Sequence, residues 1–146
     1  MSGPLPSGRR LALDPGVERI GVAISDESGL LASPLLTIEN SKLDEKLKSI
    51  IEESKIGVIY VGLPIHLSGV EGAAATAARD LARRIARNFK VKTSLVDERL
   101  TTKSAVENSE GVKKYGLDAM AACEILDFAL NGEKKLGKIF GSVIEV

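Results

Sequence analysis

An uninterrupted apolar run in the middle of the chain constrains the fold most. The run Gly57-Val-Ile-Tyr-Val-Gly-Leu63 begins with a glycine and is followed directly by Pro64. Strands that are apolar at every position, rather than at every second one, are typical of parallel sheets with helices on both faces. The run therefore predicts a central strand of an α/β domain, parallel to the first strand of the chain.

Three antiparallel strands are predicted before this run. Two short apolar runs, Arg10 to Asp14 and Arg19 to Ser25, are separated by Pro15-Gly16-Val17-Glu18, which is a hairpin signal. A third run, Leu30 to Ile38, contains Pro34, which fits an edge strand or a bulge better than a central strand. The chain should therefore open with a three-stranded meander.

Helical and strand patterns alternate in the rest of the chain. Apolar residues at helical spacing predict four helices, which start at Ser41, run from about Glu71 to Asn88, start at Thr101, and run from about Gly116 to Leu130. A strand is predicted from Val91 to Val96. This order predicts one α/β domain over residues 1–146, with a mixed five-stranded sheet and helices on both faces. Residues 1–8 should be loose, and the tail over residues 132–146 should pack as an extra strand or dock on a partner.

Composition narrows the possible functions. Twenty basic and twenty acidic residues cancel, so any binding of nucleic acid must rest on a local patch. The longest apolar stretches are far shorter than the roughly 20 residues that span a bilayer, and no signal peptide is visible, so we expect a cytoplasmic protein without a membrane span. The single cysteine, Cys123, lies in an Ala-rich helical stretch and should pack in the core rather than act as a nucleophile.

Acidic residues occur where apolar elements end or begin: Asp14, the pair Asp97-Glu98, and Asp118. Carboxylates at strand ends can meet at one edge of a sheet, where they could hold Mg²⁺ or Mn²⁺ and cleave a phosphodiester. Simpler roles also fit, because aspartate is common in turns and favourable in the first turn of a helix. Side chains alternate along a strand, so only one of Asp97 and Glu98 should face Asp14, and we favour Glu98 for its longer reach.

Other residues near this edge suggest contacts with a ligand. Gly21 leaves space on the second strand, which indicates that a ligand or another backbone comes close. The predicted contacts with a nucleic-acid backbone are Arg19, His66, Arg99, Lys113 and Lys114. For His66, an exposed position in a loop is an equally good explanation, and for the arginine face of the long helix (Arg79, Arg83 and Arg87) a solvated surface is the usual one.

Four motifs occur in an order that resembles the YqgF family of pre-16S rRNA nucleases, which are also discussed as Holliday junction resolvase homologues. The motifs are Asp14-Pro-Gly-x-x-Arg-Ile-Gly-Val-Ala, Val61-Gly-Leu-Pro with Ser68-Gly69, Asp97-Glu-Arg-Leu-Thr-Thr, and Asp118-Ala-Met-Ala-Ala-x-x-Ile-Leu. The resemblance implies an RNase H-like fold. Two departures are a short stretch before Asp118 and Ser68 in place of an acidic residue.

The same resemblance implies a divalent-metal-dependent endonuclease that acts on structured nucleic acid, either precursor rRNA or branched DNA. Asp14, Glu98 (or Asp97) and Asp118 take the positions of the acidic cluster, and Asp14 would bridge two Mg²⁺ or Mn²⁺ ions. One alternative is a catalytically silent RNase H-like module that binds nucleic acid or protein. Another is an actin-like ATPase. Such a protein binds nucleotide in a cleft between two domains, and 146 residues are enough for only one of them. A monomer and a homodimer are both compatible with the sequence.

Overall fold

The computed structural model describes residues 5–100 and 116–145. Six strands form one mixed sheet in the order β3-β2-β1-β4-β5-β6. The strands are β1 (Arg9–Pro15), β2 (Arg19–Ser25), β3 (Ala32–Glu39), β4 (Ile56–Leu63), β5 (Lys92–Asp97) and β6 (Ser142–Val143). The helices in the described part are α1 (Leu43–Ser54), α2 (Ala73–Phe89) and α3 (Leu117–Leu136).

Strand directions agree with the sequence prediction. β1, β2 and β3 are antiparallel neighbours, while β4 runs parallel to both β1 and β5. The apolar strand predicted from Gly57 to Leu63 is β4, and it lies at the centre of the sheet. Pro34 lies on the edge strand β3, where the pairing with β2 shifts register. An edge position tolerates proline because no neighbouring strand requires its missing N–H.

The two faces of the sheet are buried by different helices. On one face, α1 and α2 cover alternate residues of the strands, including Leu11, Leu13, Ile59 and Val61. On the other face, α3 covers the intervening residues, including Ala12, Ala23, Val58 and Tyr60. This two-sided burial explains why β4 is apolar at every position.

The carboxyl-terminal region agrees with the prediction only in part. The last helix continues six residues beyond Leu130, to Leu136, and ends at Gly137 with a φ of 69°. The chain then returns as β6, which pairs antiparallel with β5 through Ser94 and Leu95. The tail thus packs as an extra strand, one of the two roles predicted for it, and adds a sixth strand to the expected five. It begins after Leu136 rather than at Gly132. The helix predicted from Thr101 lies outside the described residues.

A buried ionic network holds the end of α3 to the sheet. Arg10 on β1 donates from Nε to Glu133 on α3, at 3.0 and 3.2 Å, and both side chains are almost fully buried. The Tyr60 hydroxyl on β4 donates to the same carboxylate and accepts a bond from the Phe140 N–H at 3.2 Å. Burial and then the bond to Glu133 raise the pKa of Tyr60. This network lies at the opposite end of β1 from Asp14.

Candidate active site

Asp14 lies near the carboxyl end of β1, on the face of the sheet that α3 covers. Ala12, two residues earlier, packs in the core against α3, and side chains two apart on a strand point to the same face. Asp14 pairs with Gly21 on β2. On its other side, the last paired position of β1 and β4 is Leu13 with Val61, so Gly62 is the next residue along β4. Asp14 therefore lies between two strands that each carry a glycine at this level.

Gly21 allows the first turn of α3 to rest directly on the sheet. A Cβ added at Gly21 would lie 1.8 Å from the carbonyl oxygen of Asp118 and 2.8 Å from the amide nitrogen of Ala119. A larger residue fits there only if α3 moves, because the contact is with backbone that cannot rotate away. The close approach predicted for Gly21 is therefore that of a helix backbone. It places Asp118 next to the strand pair that carries Asp14.

Gly62 provides the corresponding space for Glu98. A Cβ added at Gly62 would lie 2.6 Å from Oε1 of Glu98 and 2.7 Å from Cδ1 of Ile125 on α3. Glu98 begins a single 3-10 turn, Glu98–Leu100, that follows β5, and its Oε1 is shielded from solvent. Its side chain thus reaches back from the end of β5 over β4, toward β1. The sequence reading missed this role of Gly62, although a glycine inside an otherwise bulky apolar strand is the signal for it.

Asp97 faces a different neighbour. Its carboxylate accepts bonds from the Arg99 backbone N–H at 2.9 Å and from the Arg99 guanidinium, the shortest of them 2.6 Å from Nη2. The hydrogen bond from the Arg99 side chain lowers the pKa of Asp97. Asp97 therefore holds the turn after β5, while Glu98 is the member of the pair that lies over the neighbouring strand.

The predicted phosphate contacts are distributed around this edge. Arg19 begins β2 and forms an ion pair with Asp118, with 3.7 Å between Nε and Oδ2. Arg99 is paired with Asp97, and His66 is exposed in the loop between β4 and α2. Lys113 and Lys114 lie outside the described residues. Arg79, Arg83 and Arg84 on α2 pair with Glu71, Asp80 and Asp44, as expected of a solvated surface.

Cys123 is half-buried on α3, and burial, followed by the charges of Glu124 and Asp127, raises the pKa of its thiol to about 11. Thiolate is the nucleophilic form of cysteine, so a raised pKa disfavours a catalytic role. The prediction that this residue serves packing agrees with its position, because it packs against the core cluster between α3 and the sheet.

Donor chemistry at this edge fits a hard divalent cation. The side chains of Asp14, Glu98 and Asp118 offer only carboxylate oxygens, which are the ligands that Mg²⁺ and Mn²⁺ prefer. Across residues 5–100 and 116–145, however, no three Asp, Glu, His or Cys side chains are grouped closely enough to hold one ion. The backbone thus brings the three acids to one edge and one face, and their side chains must turn further to share a cation.

Comparison with known proteins identifies the family. A family model described as "RuvX: Holliday junction resolvase" matches residues 8–132. The chain belongs to the RuvX (YqgF) family. Curated relatives carry the name "Putative pre-16S rRNA nuclease". The one from Thermobifida fusca is 38% identical over 95% of this chain and 97% of its own length. The one from Streptomyces avermitilis is 41% identical over 95% and 96%.

Solved structures agree with the RNase H-like fold expected for a RuvX protein. RuvC from T. thermophilus, solved in complex with a Holliday junction substrate, superposes with a TM-score of 0.59 over 91% of this chain and 99% of its own, at 13% identity. A second T. thermophilus RuvC structure gives a TM-score of 0.54. At this identity the likeness concerns the fold alone.

None of the helices in the described ranges combines the length and the apolar character that a membrane span requires.

Proposed function

We propose that this RuvX-family chain is a divalent-metal-dependent endonuclease that cleaves structured RNA, with the 5′ region of precursor 16S rRNA as its substrate. The observation that carries the proposal is the placement of Asp14 between Gly21 and Gly62. Over one of these glycines lies the backbone of Asp118, and over the other lies the carboxylate of Glu98. Neighbouring strands are about 4.8 Å apart, so all three acids belong to one small area of the sheet edge.

Each acid has a distinct part in the proposed site. Asp14, Glu98 and Asp118 would hold the divalent cations through their carboxylates, with Asp14 between the other two. When bound, Mg²⁺ or Mn²⁺ would activate water and stabilise the leaving oxygen. His66, Lys113 and Lys114 are the proposed contacts to the phosphate backbone, together with Arg19 and Arg99. The names of the curated relatives favour precursor rRNA as the substrate.

Cleavage of a labelled precursor 16S rRNA 5′ region in Mg²⁺, Mn²⁺ or EDTA tests the proposal. Asp14→Asn should slow cleavage by at least about 100-fold, because even residues in the outer shell of a metal site contribute 10- to 100-fold. The matched control is Asp127→Asn, an exposed acid on α3, which should cleave at the parent rate. Parent-like cleavage by Asp14→Asn, at an unchanged denaturation midpoint, would exclude this site.

A second candidate substrate is a four-way DNA junction, which the description of the matching family favours. The same assay separates the two candidates when an immobile junction and the rRNA fragment are compared at equal concentration. Faster cleavage of the junction would make branched DNA the substrate of the same acidic residues. Metal-independent binding without cleavage of either one would instead indicate a silent binding module.

A further inference from the structure

The ion pair between Arg19 and Asp118 places a cation inside the candidate site. Arg19, Gly21 and Ala23 alternate along β2, and Ala23 packs against α3, so the Arg19 side chain leaves β2 on the α3 face. The first turn of α3 rests on Gly21, two residues away. Asp118 is therefore the carboxylate that the Arg19 guanidinium meets, at 3.7 Å.

This pair is exposed and therefore weak. The Arg19 side chain is 65% exposed and that of Asp118 is 40% exposed. Exposed pairs of this kind contribute little to stability, because water and salt screen them. By contrast, Arg10 and Glu133 are nearly fully buried and joined by two hydrogen bonds. The first pair can exchange partners readily, whereas the second cannot.

Arg19 and a divalent cation compete for the same carboxylate. The other described arginine beside the acids, Arg99, is bound to Asp97 through its side chain. A guanidinium displaced from Asp118 would remain at the site, and a guanidinium binds phosphate oxygens as well as it binds carboxylates. The substrate of the proposed reaction carries such phosphates.

We propose that Arg19 is an exchangeable counterion of Asp118, which moves to a substrate phosphate when Asp118 becomes a metal ligand. This inference rests on the proposed function and adds an order of binding: the metal ion binds first, and its binding makes a phosphate-binding arginine available to the substrate. Before exchange, Arg19 keeps the negative charge of the site partly neutralised. After exchange, the same side chain strengthens substrate binding, so metal and nucleic acid should bind cooperatively.

The first test is a calorimetric titration of the chain of residues 1–146 with Mn²⁺. Arg19→Gln should bind Mn²⁺ about two- to fivefold more tightly than the parent, which corresponds to the strength of an exposed ion pair. Arg19→Lys keeps the positive charge, and its affinity for Mn²⁺ should lie between those of the parent and Arg19→Gln. The control is Arg83→Gln, which breaks a similar exposed pair with Asp80 on α2 and should match the parent.

The outcomes separate this inference from the proposed function. If the parent binds no Mn²⁺, the proposed metal site itself is wrong. If the parent binds Mn²⁺ and Arg19→Gln binds it equally or more weakly, only the counterion role is wrong. A lower denaturation midpoint with unchanged Mn²⁺ affinity would mean that the pair merely anchors α3, and this too would overturn the inference.

Binding of a fluorescein-labelled precursor rRNA hairpin is the second test, measured by stopped-flow anisotropy before cleavage. In Mn²⁺, Arg19→Gln should lower the dependence of log affinity on log salt by about one unit, the amount expected for the loss of one phosphate contact. In EDTA, the difference in slope between parent and variant should be smaller, because Asp118 without a metal ion competes with the phosphate for Arg19. Equal slopes in Mn²⁺, or a slope lowered equally in EDTA, would overturn the exchange.

Discussion

The carbonyl oxygen of Asp118 lies so close to Gly21 that a Cβ at position 21 would be only 1.8 Å from it. The first turn of α3 is therefore positioned by the absence of a side chain on β2. Since Gly21 pairs with Asp14, the same contact sets the position of Asp118 relative to Asp14. A single glycine thus links the packing of the helix to the geometry of the candidate site.

Gly21→Ala should impair both stability and cleavage. To reach an ordinary contact, the first turn of α3 must withdraw by roughly 1.5 Å. We expect a loss of about 1–3 kcal/mol in the free energy of unfolding, as for other overpacked positions, and about a 100-fold loss of activity. Urea denaturation and the rRNA cleavage assay measure the two effects. Gly72→Ala is the control for stability, because the nearest atom to its Cβ is the end of the His66 side chain, at 3.3 Å. A Gly21→Ala protein as stable as the control would contradict the contact.

Gly62→Ala should separate activity from stability. Its Cβ would meet Oε1 of Glu98 at 2.6 Å and Cδ1 of Ile125 at 2.7 Å, and both are ends of side chains rather than backbone atoms. We therefore expect a smaller loss of stability than for Gly21→Ala, below about 1.5 kcal/mol. Cleavage should still fall about 100-fold, because Glu98 must leave its place over β4. Full activity in this variant would show that the position of Glu98 does not matter for the reaction.

The buried network at the other end of β1 should matter for stability alone. Glu133→Ala leaves the Arg10 guanidinium buried without its carboxylate partner, and breaking a buried pair in this way destabilises by about 3–5 kcal/mol. Activity per folded molecule should be retained, because Arg10 and Asp14 are separated by roughly 13 Å along the strand. The control Glu71→Ala removes the exposed partner of Arg79 and should change the unfolding free energy by less than about 1 kcal/mol. Equal effects of the two variants would argue against the buried network.

Much of the sheet could be predicted because its signals are local. Each signal lies within a short segment of the chain: the hairpin residues, the proline of the edge strand and the apolar run of β4. Each of these segments forms the element that was predicted for it. The choice between Asp97 and Glu98 as the acid over β4 was harder, because it depends on the 3-10 turn that begins at Glu98. Strand alternation could limit the choice to one of the two but could not describe that turn.

For the carboxyl-terminal region, the sequence left an extra strand and a docking segment as alternatives, because the partners of this region are distant in sequence. Glu133 lies in a lysine-rich segment that reads as solvent-exposed, yet it is buried by Arg10 and Tyr60, which are 123 and 73 positions away. β6 has only two residues, and its position depends on Phe140, whose ring packs against Gly132, where no side chain intervenes. Neither feature leaves a periodic pattern in the sequence.

Asp26 should give the fold a dependence on acid pH. In the turn between β2 and β3, its carboxylate accepts bonds from the Leu31 and Leu30 N–H groups, at 3.0 and 2.8 Å, and from the Ser28 hydroxyl. These bonds, that of Leu31 foremost, lower the pKa of Asp26 from 3.8 to about 2. A carboxyl whose pKa is lower in the folded state stabilises the protein above its ordinary pKa and loses this effect as the pH falls through the lowered value.

The stabilisation by Asp26 should therefore be complete above about pH 4 and should disappear towards pH 2. Asp26→Asn cannot ionise, so the difference in urea midpoint between parent and variant should shrink steadily across this interval. Ser28→Ala removes only one of the three donors and should keep most of the pH dependence. A constant difference in urea midpoint between the parent and Asp26→Asn from pH 4 to pH 2 would contradict this prediction. It would mean that the neutral carboxyl group holds this turn as well as the ionised one does.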